Sequence, residues 1–113
     1  MNTMPPLIDD AVFAELQATA GADFVAELVG TFFEEAPQML AELRAALAAG
    51  AAEPFRRAAH SLKTNAHTFG AMALGAKARE LELGGLPTDD AGLVVLEAAY
   101  AEAAAALKER VGG

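Results

Sequence analysis

Apolar residues recur every three or four positions along almost the whole chain, the spacing of one face of an α-helix. Val12, Phe13 and Leu16 form a short stripe in a first segment from Asp9 to Ala20, which Gly21 interrupts. Val25, Leu28, Phe32, Met39, Leu43 and Leu47 then predict a long helix from Asp23 to Ala49, with Asp23 in the acid-favouring first turn. Pro37 lies inside it, removes the partner of the Phe33 carbonyl and predicts a kink or a split. Gly50 ends that helix, and Glu53-Pro54 opens a third that runs to Thr68, proline being tolerated in a first turn. Gly70 marks a turn and a fourth helix follows from Ala71 to Leu83. Gly84-Gly85-Leu86-Pro87 is a break. Thr88 is the predicted N-cap of the last helix, with Asp89 and Asp90 in its first turn. Leu93, Leu96, Tyr100, Ala103 and Leu107, spaced alternately by three and four, are its seam.

The expected fold class is all-α: an antiparallel up-and-down four-helix bundle with the first segment as a short N-terminal capping helix, in a single domain spanning 1–113. Composition agrees. Apolar residues make up 54% of the 113, much of it alanine, while aromatics are 6% and tryptophan is absent. Alanine is the best helix former and lets helices approach closely. Cysteine is absent, which removes disulfides, thiolate catalysis and cysteine metal sites. No secretory leader pattern is visible in Met1 to Asp10, and Ala98 to Leu107 is too short and carries Glu102, so no membrane span is expected. The expected location is cytoplasmic and the expected state a monomer.

Charge redraws this picture. The net charge of −8 disfavours nucleic acid as a partner. Between Pro54 and Arg79, however, lie Arg56, Arg57, Lys63, Lys77 and Arg79, five of the eight basic residues, with no Asp or Glu among them. One basic island on an acidic chain is either a surface that faces an anion or a chance cluster on a solvated helix.

The third helix, drawn as a wheel, separates two faces. Ala59, Leu62, Ala66 and Phe69 fall within about 40° of Phe55 and form with it the core stripe. His60 lies about 140° from Phe55, among Lys63, Arg56, His67, Thr64 and Arg57. An accessible imidazole with an ordinary pKa near 6.5 is largely neutral around pH 7 and is then a good nucleophile. Cations beside it suit phosphoryl transfer, which needs mainly positioning and charge neutralisation. Lys63, three residues on, is on the adjacent helical row. In a hairpin that turns near Gly70, Glu80 and Glu82 fall opposite His60, and Glu82 lies at the edge that can face it. There it would fix the imidazole tautomer, unless it is an ordinary flanking glutamate.

The stretch Arg57-Ala58-Ala59-His60-Ser61-Leu62-Lys63-Thr64-Asn65-Ala66-His67-Thr68-Phe69-Gly70-Ala71, followed by Leu74, Ala78, Leu81 and Glu82, resembles the signature of histidine-containing phosphotransfer domains. The upstream Phe32-Phe33-Glu34-Glu35-Ala36-Pro37 with Leu43, Ala46 and Leu47 is similar to that family's preceding helix. The resemblance implies that His60 is phosphorylated, Lys63 is the phosphate-side cation and Glu82 bonds the imidazole. It implies as partners response-regulator receiver domains, which hold the Mg²⁺, and a sensor histidine kinase, with no cofactor or metal bound by this domain. Arg56, Arg57, Thr64 and His67 are the candidate partner contacts. Thr64 stands where the family often has glycine, and His67, one heptad after His60, either tunes the site or is a surface residue near a helix end. No nucleotide-binding loop is visible, so no kinase activity of its own is expected. Two other readings stand beside this one: a non-catalytic helical adaptor, for which His60 is dispensable, and a metal-binding bundle using His60, His67 and a carboxylate.

Overall fold

Glycines end the helices where the apolar periodicity breaks. The computed structural model describes residues 5–112, so residues 1–4 and 113 of the expected domain lie outside the described residues. Five helices follow in order: α1 (Asp10–Ala20), α2 (Ala22–Ala49), α3 (Ala52–Thr68), α4 (Met72–Leu83) and α5 (Ala91–Arg110). There is no strand among the described residues. At the end of α3, Ala71 N–H donates to the Ala66 carbonyl at 2.9 Å and Gly70 N–H to that of His67 at 3.0 Å. That double closure requires a left-handed residue, and Gly70 supplies it at φ 77°. A side chain there would also press on the Asp9 carbonyl. Gly50 ends α2 in the same way, at φ 65°.

α2 packs on α3, α3 on α4, α4 on α5 and α5 back on α2, which closes a ring of four helices; α1 rests on α2 and α3. α3 and α4 run antiparallel, since His60 meets Glu82 near one end of the pair and His67 meets Gly75 near the other. The core is the interior of that ring. Phe55, Ala59, Leu62, Ala66 and Phe69 are all buried, as are Leu93, Leu96, Ala103 and Leu107 of α5, while Tyr100 is half-buried. Phe32 meets Phe69 with tilted rings at 5.4 Å and Tyr100 edge-on at 5.8 Å, pinning the end of α3 between α2 and α5. Truncating the fully buried Leu62 to alanine should cost about 2–5 kcal/mol.

Three expectations change. Pro37 does not split α2, which is continuous through it; the proline sits on the exposed face, where the carbonyl it leaves unpaired can be hydrated. The buried stripe of α2 is Val25, Val29, Phe32, Ala36, Leu40, Leu43 and Ala46, and Met39, Leu28 and Leu47 only flank it. Thr88 is not the N-cap of α5. The helix begins at Ala91, whose N–H is capped by Asp89 Oδ1 at 3.0 Å, and Asp90 is turned toward Arg44 of α2 instead.

The N-terminal segment fastens the α3–α4 turn. Ile8 is buried, Asp9 N–H donates to the Gly70 carbonyl at 2.7 Å, and Ala73 N–H donates to the Pro6 carbonyl at 3.0 Å. Asp9 also caps α1 by accepting from Ala11 and Val12 N–H.

Candidate functional site

Leu62 points into the core, and this turns His60 and Lys63, about one helical turn apart, toward α4. Ala78 of α4 is fully buried and small, so the two helices lie close along this stretch. Glu82, one turn further on, reaches across the seam with both oxygens engaged. Oε2 is 2.7 Å from His60 Nδ1, and Oε1 is 2.7 Å from Lys63 Nζ. The second contact has hydrogen-bond length but poor alignment, so it is chiefly ionic. The side chains are graded in exposure: Glu82 9%, Lys63 21% and His60 53%. The carboxylate is thus the inner member of the group and the imidazole the outer one.

The Lys63 ammonium holds the Glu82 carboxyl below the ordinary 4.5; its partial burial opposes this and the His60 hydrogen bond assists it. An ionised carboxylate only accepts, so the hydrogen between it and His60 is carried by Nδ1. The other ring nitrogen, Nε2, is left with its lone pair on a half-exposed ring. An imidazole oriented in this way, with a largely covered counter-anion behind it, is suited in its neutral form to attack an electrophile that approaches from solvent.

The remaining sequence candidates separate around this group. Thr64 Oγ1 donates to the His60 carbonyl at 3.0 Å, which fixes its rotamer one turn beyond the imidazole. Arg56 pairs with Glu53 on its own helix, Nε to Oε1 at 2.9 Å, which raises the arginine and lowers the glutamate. Arg57 faces the other flank and lines a groove between α2 and α3 with Met39, Glu42, Pro54, Ala58 and Ser61. His67 lies over Gly75 of α4, where a Cβ would collide with its ring. Sequence reasoning did not anticipate that contact, nor that Lys63 would rest on Glu82. The shared helical face of His60 and Lys63 was the available signal for the second. Among the described residues, no group of three or more His, Asp or Glu side chains is placed to hold a metal ion.

The Hpt domain family model matches residues 27–106. The chain belongs to the Hpt domain family. This Hpt domain is also similar to a solved structure, the histidine-containing phosphotransfer protein B (HptB) from Pseudomonas aeruginosa PAO1. The two are 32% identical and superpose with a TM-score of 0.88, over 95% of this chain and 96% of the other. Among curated proteins none matches. Among the described residues of this Hpt domain, no helix is long and apolar enough to cross a membrane.

Proposed function

We propose that this Hpt domain is a phosphorelay intermediate that carries a phosphoryl group on His60. The observation that carries the reading is the Nδ1–Glu82 bond of 2.7 Å on a ring still half open to solvent. In the forward step the Nε2 lone pair attacks phosphorus of an aspartyl phosphate on a receiver domain. The N–P bond forms as the P–O bond to the aspartate breaks, and the electron pair leaves with that carboxylate. The Nδ1 hydrogen stays in its bond to Glu82, whose negative charge offsets the positive charge the ring acquires. The reverse step returns the phosphoryl group to another receiver. The receiver supplies Mg²⁺ for the departing carboxylate, and the chain itself contributes a nucleophile, an orienting anion and the cation Lys63, with Arg56 and Arg57 serving as partner contacts on the flanks.

The same reading takes α2 to α5 as an up-and-down four-helix bundle with α1 as its cap, acting as a cytoplasmic monomer that meets receiver domains and a sensor histidine kinase transiently. The adaptor reading offers no task for a nearly buried carboxylate held against an exposed imidazole. The test is to mix the protein with a phosphorylated receiver domain and Mg²⁺ and to follow transferred phosphate. The expected product is an acid-labile, alkali-stable label on the wild type and none on His60→Gln. Equal labelling of the two proteins would remove His60 as the acceptor.

A further inference from the structure

Glycine is the poorest helix former after proline, yet Gly75 stands inside α4. It is buried, and what covers it is the ring of His67 from α3: a methyl at Gly75 would fall where the ring's Cδ2 and Nε2 lie. The missing side chain is a slot in the α3–α4 seam, and the imidazole lies down in it with the residue's outer side exposed. His67 also shares a face with His60. Seven residues return a helix to within about 20° of its starting direction and advance it about 10.5 Å. Even a small transient interface covers about 600 Å² of each partner, a disc about 14 Å in radius. A protein that centres on His60 therefore covers His67 as well.

We propose that His67 is a specificity-determining residue of the docking face: seated in the Gly75 slot, it lies low enough for a receiver domain to reach His60, and out of the slot it stands in the receiver's way. This rests on the reading of His60 as an acceptor from receiver domains. The ring is the part that moves. A methyl in the slot would meet the far end of a flexible side chain, and rotation of that side chain carries it to solvent with both helices in place. The effect depends on the size of the donor. A macromolecule must lie over His67, whereas a small phosphoryl donor reaches Nε2 of His60 without touching it.

The test compares donors on Gly75→Ala, a substitution that favours the helix it enters. With a phosphorylated receiver domain and Mg²⁺, the half-saturating receiver concentration is expected to rise on the order of tenfold. In a His67→Ala background the same substitution should change it by less than about twofold, because the displaced ring is gone. Phosphoramidate is a small donor that gives its phosphoryl group to imidazole and releases ammonia. Its labelling of His60, located by mass spectrometry, should be equal for the wild type and Gly75→Ala. In NMR, the contact between the His67 ring and the α-protons at position 75 should be present in the wild type and lost in Gly75→Ala. Receiver transfer unaffected by Gly75→Ala, a loss that persists in the His67→Ala background, or equal slowing with phosphoramidate would overturn the proposal. A wild type labelled by phosphoramidate and by no receiver would overturn the carrier reading instead, while the ring contact would still decide whether the slot exists.

Discussion

Glu82 of α4 and Glu97 of α5 each receive a cation from another helix, yet the two carboxylates do different work. Glu97 accepts two bonds of 2.7 Å from the Arg44 guanidinium of α2, which also touches Asp90 at 3.3 Å. All three of these side chains are open to water, at 35%, 43% and 57% exposure. Arg44 lowers the Glu97 carboxyl and is itself raised further by it. Bond lengths and the lowering of the carboxyl match those at Glu82. Burial does not: Glu82 is 9% exposed and shares its second oxygen with an imidazole. In water a fork-shaped ion pair is a fastener of small worth, screened by salt. Set into a seam, a carboxylate has a fixed direction, and direction is what an imidazole tautomer responds to.

The sharpest way to break the comparison is at the imidazole. His60→Gln should abolish acceptance of phosphoryl groups while leaving the helical circular dichroism unchanged, because the half-exposed ring is not part of the core. Next in size is Glu82→Gln. It keeps a group of the same shape and removes the charge, and transfer is expected to slow about tenfold to a hundredfold in a rapid-quench assay. A third test uses acid. Glu82 is lowered in the folded protein, so the stability it contributes is fully present above 4.5 and is lost as pH falls through its depressed folded value. The melting-temperature gap between wild type and Glu82→Gln should therefore be level from about pH 8 to 5.5 and close at lower pH. The smallest effect is expected at the other carboxylate. Arg44→Met should leave transfer unchanged and lower the melting temperature by less than about 5 °C, with the difference shrinking further in about 1 M salt.

The parts of this molecule that follow from local rules were legible in the residues. The core face of α3 from Phe55 to Phe69 and the seam of α5 are periodic, and each is buried where its period placed it, with Tyr100 at the rim. Gly21, Gly50 and Gly70 announced helix ends because no other residue enters left-handed backbone so readily. His60 opposite Glu82 followed from counting residues on either side of one tight turn. Long-range contacts were not legible. The start of α5 was misread because Arg44, 46 residues earlier, captures Asp90, and no feature near Thr88 reports that. On α2 the periodicity alone does not choose between the adjacent apolar residues Met39 and Leu40, and it is packing against the other helices that buries Leu40 and leaves Met39 at the flank. Gly75 looks like a misplaced helix breaker until the His67 ring that occupies its space is seen.

The two charged clusters also differ in how much chain each must enclose. His60 and Glu82 are 22 positions apart, within one hairpin, whereas Arg44 and Glu97 are 53 apart and meet only when the first and last helices of the ring come together. Shorter loops cost less entropy to close, and contacts between near neighbours in sequence form earlier as a chain collapses. The imidazole and its carboxylate are therefore expected to assemble before the outer fastener. In native-state hydrogen exchange, the α2–α5 contact should open at lower free energy than the α3–α4 hairpin. A molecule that breathes along that edge would keep the geometry of its reactive ring while it does so.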